Sequence, residues 1–238
     1  MNIIDGIKRQ FHRDLVSDPV THGWVLNLYL GGERYPQRVC DYFQSGFAPN
    51  VDLSAKIDQH AADEAKHSKL FAHGIELLGQ PVVELEMGDI FNEVIRSFTP
   101  GTFHILESDS TEKRRWKLAN FMAHAHCLEK RVARSFAYHA EACERATRPV
   151  LLGILEVAHR DEERHVSYTR ETVYELLRRE EADQVMETHR RAEAKANLIF
   201  SQKQVRAFLR RFPANCSRRN RALYRVGAML MEDAARYA

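Results

Sequence analysis

Long apolar runs, paired cysteines and helix-breaking residues are all scarce in this chain of 238 residues. No apolar run approaches the roughly 18 residues that a spanning helix needs, and the charges in the opening stretch MNIIDGIKRQFHRDLVSD argue against a secretory signal. The four cysteines (Cys40, Cys127, Cys143 and Cys216) form no CxxC pair. This excludes a zinc ribbon or rubredoxin module and indicates a reducing compartment. We therefore expect a cytoplasmic protein without a membrane segment.

Glycine and proline number only 11 and 7, and apolar residues recur at three- and four-residue steps almost throughout. This periodicity predicts an all-α fold with four long helices. Their expected spans are about 20–45, 52–79, 113–145 and 149–179, with a short helix near 88–97. Short links make two antiparallel hairpins, and the long connection after the second helix can cross the bundle from end to end. This topology resembles the ferritin-like four-helix bundle.

Additional helices are expected on either side of the bundle. We place an N-terminal amphipathic helix at 1–19, the bundle at 20–180, and a basic C-terminal helical extension at 181–238, broken at Pro213. Between His189 and Arg225 the chain has eleven Lys or Arg and one acid, a net charge of +10. This charge is typical of a solvated helical surface, and also of a docking face for an acidic partner such as RNA, an electron-transfer protein or an acyl carrier protein.

Two motifs of the same form lie on the second and fourth predicted helices. They are DEAKH at 63–67 and DEERH at 161–165, and both read Asp-Glu-x-basic-His. At about 100° per residue, the Glu and His of each motif fall on the apolar stripe of their helix and face inward. A third ExxH pair, Glu156–His159, lies off that stripe and lacks the Asp. One ExxH is expected about once by chance in such a composition, but two copies preceded by Asp are not.

The first and third helices each offer one further inward carboxylate. Glu33 continues the apolar stripe of the first helix, and Glu129 lies on the stripe of the third. The nearby Pro36 predicts a kink, which could widen room for a substrate or simply end one helix and begin another. Glu33 precedes Glu64 by 31 residues and Glu129 precedes Glu162 by 33, so the chain reads as two hairpins of one plan. A buried carboxylate without a partner is costly, so these positions favour a bound cation.

Other polar residues are interpreted more simply. His60 and His126 lie one turn from a predicted inward carboxylate. They could be extra ligands, but we interpret them as hydrogen-bonded core or rim histidines. His124, His139 and His159 are predicted at the surface. Tyr168 is a candidate pocket or radical residue, although packing is the more common role of such a tyrosine.

Four carboxylates and two histidines on four helices resemble the ligand set of the ferritin-like carboxylate di-iron proteins, over roughly residues 20–180. The stretch DEERHVSYT is similar to the oxygen-activating branch, which includes bacterial multicomponent monooxygenases, ribonucleotide reductase small subunits and acyl-carrier-protein desaturases. The chain is shorter than those proteins. The resemblance implies two iron ions, or manganese or a mixed Mn/Fe pair. It implies that Asp63 and Asp161 accept hydrogen bonds from the ligand histidines. The implied ligands are Glu33, Glu64, His67, Glu129, Glu162 and His165.

The function implied is that of a non-haem di-iron oxygenase or oxidase. It would activate O2 to hydroxylate, desaturate or otherwise oxidise a small or carrier-bound organic substrate. We expect an external ferredoxin or reductase as electron donor, and a homodimer. Three alternatives remain open: an RNA-modifying hydroxylase that resembles the tRNA hydroxylases, an iron-storage or peroxide-detoxifying ferritin-like protein, and a helical binding protein whose buried acids pair with histidines.

Overall fold

The chain is helical throughout the part that the structure describes. The computed structural model describes residues 3–99 and 101–237, with side chains from Gly6 onward. Helices and 3-10 turns account for 82% of the described residues, and the described ranges contain no strand. The prediction of an all-α fold is therefore confirmed. The helices are α1 (Ile3–Val16), α2 (Pro19–Arg34), α3 (Val51–Leu77), α4 (Phe91–Arg96), α5 (Thr111–Arg145), α6 (Pro149–Leu176), α7 (Arg179–Arg211) and α8 (Arg218–Tyr237).

Side-chain caps set the starts of three long helices. Asp18, Asn50 and Ser110 each accept a hydrogen bond from a backbone N–H in the first turn of α2, α3 and α5. Such a cap satisfies one of the four N–H groups that a helix start leaves without an intrahelical partner. The helix α6 begins at Pro149, whose fixed φ suits the first helical position.

The helix α2 ends about ten residues before the predicted boundary near residue 45. Pro36 has no backbone N–H to donate, and its ring crowds the carbonyl group one turn earlier. The chain therefore leaves α2 at Arg34, forms the 3-10 turn Tyr35–Arg38 and becomes extended at Val39. Glu33 consequently lies in the last turn of α2.

The four long helices α2, α3, α5 and α6 pack with their neighbours antiparallel. The hairpin α5–α6 is joined by only the three residues 146–148. For the other neighbours, pairs of contacting residues run in opposite directions along the two helices. These pairs are Glu33–His67 and Leu26–Gly74 between α2 and α3, His60–Tyr168 and His67–Asp161 between α3 and α6, and His22–His139 and Tyr29–Phe136 between α2 and α5.

The connection between α3 and α5 holds the predicted short helix, α4. Ile95 of α4 packs with Leu128 of α5 and Ala196 of α7. Arg96 donates two hydrogen bonds to the carboxylate of Asp41, at 2.8 and 2.6 Å. This paired contact joins the connection to the segment that follows α2.

The helices α1, α7 and α8 cover the outer surface of the four. Residues from the first turns of α7 belong to the same apolar cluster as residues of α5 and α6. Tyr224 of α8 donates a 2.7 Å hydrogen bond to Asp14 of α1. The break between α7 and α8 falls at Pro213, as predicted. The domain boundaries after residues 19 and 180 stay a prediction. None of the described helices combines the length and the apolar character needed to span a bilayer.

Between the four long helices, a polar belt separates two apolar clusters. Residues such as Leu30, Phe71 and Phe136 form one cluster, and residues such as Ile57 and Met122 belong to the other. Buried acids and histidines lie between the clusters on every one of the four helices. We call this set the polar belt: Glu33, His60, Glu64, His67, Glu129, Glu162 and His165.

Candidate metal centre

All seven side chains of the polar belt are removed from solvent. Glu162 and His67 have 0% of their surface exposed, and no member exceeds 6%. Moving an ionised carboxylate into an apolar interior is costly unless it is paired with opposite charge or bound to a metal. Four carboxylates in one buried belt therefore require a compensating partner.

Four belt residues form a first group of potential ligands. One ligand atom from each of Glu33, Glu64, His67 and Glu162 lies within 4.8 Å of the others. The Nδ1 atom of His67 is at the centre, 3.3 Å from Oε2 of Glu33 and 3.4 Å from Oε1 of Glu162. The group draws on α2, α3 and α6, because the antiparallel packing brings residue 33 to the level of residues 64–67 and 162.

A second group lies next to the first and shares a carboxylate with it. Potential ligand atoms of His60, Glu64 and His165 also lie within 4.8 Å of one another. The Nδ1 atom of His165 is 3.0 Å from Oε2 of Glu162, whose other oxygen faces His67. Glu64 thus belongs to both groups, and Glu162 directs one oxygen toward each motif histidine. This arrangement can hold two neighbouring cations with shared carboxylates.

Glu129 is the predicted ligand that lies outside both groups. Its Oε1 atom is 3.6 Å from Nε2 of His60, which in turn is 3.4 Å from Oε1 of Glu64. The structure therefore brings five of the six predicted ligands directly into the two groups and joins Glu129 to them through His60.

Five buried atoms of the belt make no hydrogen bond to any residue that the structure describes. An unsatisfied buried polar atom costs about 1–3 kcal/mol, so several together in one place need a reason. Cations bound in the two groups would engage all five. The five atoms are Oε2 of Glu33, Nε2 of His60, Oε1 of Glu64, Nδ1 of His67 and Oε1 of Glu162.

His60 and His126 received the same interpretation from the sequence, but their contacts in the structure differ. Nδ1 of His126 is 2.9 Å from the carbonyl oxygen of Val166, so the interpretation as a hydrogen-bonded histidine holds. Nδ1 of His60 is 2.7 Å from the hydroxyl of Tyr168, but Nε2 has no such partner and points between Glu64 and Glu129. His60 is therefore hydrogen-bonded in the core, as interpreted, and its Nε2 atom also makes it a candidate ligand, the alternative that the sequence left open.

The far nitrogens of the two motif histidines contact aspartates of the opposite motif. Nε2 of His67 is 3.1 Å from Asp161, and Nε2 of His165 is 3.3 Å from Asp63. A carboxylate in this position fixes the orientation and tautomer of an imidazole and leaves Nδ1 free to bind a metal. Each motif therefore orients the histidine of the other.

The basic residue of each motif pairs with these aspartates. Lys66 and Arg164 both contact both aspartates, including Lys66 to Asp63 at 2.8 Å and Arg164 to Asp161 at 3.0 Å. Although burial opposes it, hydrogen bonds from Lys66, Gln59 and Arg164 hold the pKa of Asp63 well below its usual range. The sequence interpretation did not assign this pairing with the aspartates. The basic residue at the same position of both motifs was the signal that could have indicated it.

The electrostatics of the belt show an excess of negative charge. Burial and the charge of Glu64 raise the pKa of Glu33, and burial and the charge of Glu162 raise the pKa of Glu129. Despite burial, the neighbouring carboxylates of Glu162 and Glu33 raise the pKa of His67 to about 11. Two divalent cations would neutralise four carboxylates without requiring the belt to take up protons.

Two histidines predicted at the surface are buried, so that part of the sequence analysis is wrong. His124 and His139 are each 0% exposed. His124 is covered by Phe103 and by His189 of α7. His139 is covered by α1, where the ring of His12 packs 5.4 Å away. His159, the third of these predictions, is partly exposed.

Comparison with known proteins adds no family to this geometry. No protein-family model matches the chain, and no match was found among curated proteins or among solved structures. What can be said about function therefore comes from the buried His and Glu groups themselves, which can hold metal ions.

Proposed function

We propose that this chain is a ferritin-like carboxylate di-iron protein that activates O2 and oxidises an organic substrate. The observation that supports it best is the pair of buried ligand groups that share Glu64. Five of their facing atoms make no hydrogen bonds to the described residues, whereas the opposite side of each motif histidine does. This pattern is expected where metal ions complete the inner contacts.

The arrangement of the long helices supports the ferritin-like part of the proposal. In such bundles, two antiparallel hairpins are joined by one long crossover, and inward side chains of all four helices contribute ligands. The hairpins here are α2–α3 and α5–α6, and residues 78–110 connect them. Each of the four helices contributes at least one member of the polar belt.

The types of ligand atom support iron, with manganese or a mixed Mn/Fe pair as the alternative. The belt contains carboxylate oxygens and imidazole nitrogens but no cysteine sulfur, and this donor set suits those ions better than a soft ion. Bound iron supplies the electrons for O2 reduction. The chain itself orients His67 and His165 through the aspartates. The apolar cluster beside His60, which includes Phe43 with its ring 4.7 Å away, limits the access of water.

Metal analysis and O2 uptake test the proposal. Protein made in iron-supplemented medium should contain about two irons per chain and, once reduced, consume O2 rapidly. Glu162→Gln should lose both properties, whereas Glu163→Gln, an exposed neighbour on α6, should keep them. Metal-free protein that stays folded and does not respond to added Fe(II) would contradict the proposal. A shell-sized oligomer in light scattering would instead support the iron-storage alternative.

We also propose that the basic end of the chain binds an acidic protein, either the electron donor or a substrate carrier. Arg218, Arg219 and Arg225 are exposed, and the apolar residues Val226 and Leu230 are exposed among them. Arginine next to apolar surface suits a protein interface better than a contact with phosphates alone.

Binding titrations distinguish the partners for this surface. An acidic ferredoxin or a holo-acyl carrier protein should bind, and charge reversal of the three arginines should abolish binding. The interaction should also weaken as salt rises. Tight, salt-dependent binding of tRNA with no binding of either protein would contradict this partner assignment and favour the RNA-hydroxylase alternative.

A further inference from the structure

A second buried cluster of potential ligands lies at the other end of the long helices from the loop after Glu33. It consists of His22 on α2 and His139 and Cys143 on α5, each 0% exposed. His139 follows Glu129 by ten residues, which places the cluster about 15 Å along the helix from the polar belt. The cluster has no carboxylate, so it is chemically different from the belt.

The three ligand atoms lie within reach of a single metal ion. Nε2 of His22 is 2.9 Å from Nε2 of His139 and 3.8 Å from Sγ of Cys143, and all three atoms lie within 4.8 Å of one another. With metal–nitrogen bonds of about 2.0 Å and a metal–sulfur bond of about 2.3 Å, the nitrogens would be about 3.4 Å apart and sulfur and nitrogen about 3.6 Å. A rearrangement of roughly half an ångström would suffice.

A tyrosine orients one of the two imidazoles. The hydroxyl of Tyr29 is 3.1 Å from Nδ1 of His139, so that nitrogen is engaged and Nε2 is directed into the cluster. This is the same arrangement that the aspartates provide in the polar belt, with a neutral partner in place of a charged one.

The charge of the surroundings selects the class of ion. Burial raises the pKa of the Cys143 thiol, and the positive charge of Arg148 acts on both His22 and Cys143. Once deprotonated on metal binding, Cys143 is the single anionic donor of the cluster. A divalent ion would therefore leave uncompensated positive charge in a buried place, which is costly. A monovalent ion with one thiolate is neutral, and soft sulfur ligands favour Cu(I).

We propose that His22, His139 and Cys143 form a binding site for one monovalent soft metal ion, Cu(I). Binding forms two metal–nitrogen bonds and one metal–sulfur bond, and the thiol proton of Cys143 is released to solvent. The oxidation state of the metal does not change.

The site can be tested by anaerobic titration of the full chain with Cu(I) in competition with bicinchoninate. The wild-type chain should remove one Cu(I) from the chelator, and X-ray absorption should show one sulfur and two nitrogen neighbours. Cys143→Ser should weaken binding by at least about tenfold. Cys127→Ser is the matched control, because Cys127 is also buried on α5 but belongs to none of the three ligand groups, and this variant should bind Cu(I) as the wild type does.

A second variant, His22→Gln, keeps the test informative if Cys143→Ser unfolds, which circular dichroism will show. It should lose Cu(I) binding while the iron content is unchanged. Equal Cu(I) affinity in all variants, or no binding by the wild type, would overturn the site. Zn(II) bound more tightly than Cu(I) through the same residues would overturn the choice of a monovalent ion.

Discussion

The hairpins α2–α3 and α5–α6 bring the same ligand pattern to the polar belt. They differ in which histidine the carboxylate outside the motif contacts. In the first hairpin, Glu33 lies 3.3 Å from His67, the histidine of its own hairpin. In the second, Glu129 lies nearest in the belt to His60, a residue of the other hairpin. His60 stacks on His165 with the ring centres 3.7 Å apart. The position equivalent to His60 in α6, four residues before the motif glutamate, is Ala158.

This difference shows that a sequence repeat need not produce two equal metal positions. The repeated part, Glu with Asp-Glu-x-basic-His, supplies the shared carboxylates and the crosswise aspartates. One departure from the repeat, His60 against Ala158, places an additional imidazole at one position only. The two cation positions are therefore expected to differ in affinity, because Glu33 completes the one beside His67 and His60 completes the one beside His165.

The largest effect is expected for Glu64→Gln, because Glu64 belongs to both ligand groups. An amide cannot supply the negative charge that two neighbouring cations share. The iron content should fall from about two per chain to nearly none. Elemental analysis measures this. Glu76→Gln, an exposed site on the same helix, is the control. Retention of both irons by Glu64→Gln would show that the groups do not share this carboxylate.

Next in size are His67→Gln and His165→Gln, each of which removes the histidine of one hairpin. Each variant should lose about one iron per chain and keep the other, since each imidazole belongs to one group. His159→Gln should have no effect, because that ExxH pair faces away from the belt. Loss of both irons in either variant would contradict the assignment of one iron to each motif histidine.

Asp161→Asn and Asp63→Asn test the crosswise contacts. Replacing a carboxylate that orients a ligand histidine typically costs 10–100-fold in metal affinity. Asp161→Asn should therefore weaken the position of His67, and Asp63→Asn that of His165, as measured by iron titration with a competing chelator. The exposed Asp58→Asn serves as control. The reverse assignment, each aspartate acting within its own motif, would contradict the crosswise arrangement.

The smallest effect is expected for His60→Ala, which makes the two hairpins equivalent at this position. It should weaken only the iron beside His165, by about tenfold, the equivalent of one lost polar contact. Tighter binding of this iron in a titration of the variant would show that His60 is not a ligand.

Local periodicity was enough to predict most of the helices and the inward direction of the belt residues. The direction of Glu64, His67, Glu162 and His165 depends only on their positions along a helix, which a repeat of 3.6 residues determines. The early end of α2 depends on Pro36. A proline can either kink a helix or end it, and the sequence left both outcomes open.

The remaining differences depend on contacts between segments far apart in the chain. His139 was predicted at the surface, but it contacts His22 and Tyr29 of α2 and is also covered by α1. The crosswise pairing of Asp161 with His67 depends on the packing of α3 against α6, which no local pattern specifies. For the same reason the cluster of His22, His139 and Cys143 could not be recognised from residue spacing.

The most direct measurement of the central claim is anomalous diffraction at the iron edge, from crystals of the iron-loaded chain. Two peaks about 3.5–4 Å apart are expected between Glu64 and Glu162, with His67 beside one and His165 beside the other. A map without peaks among these side chains, or with iron bound only outside the four long helices, would contradict the account.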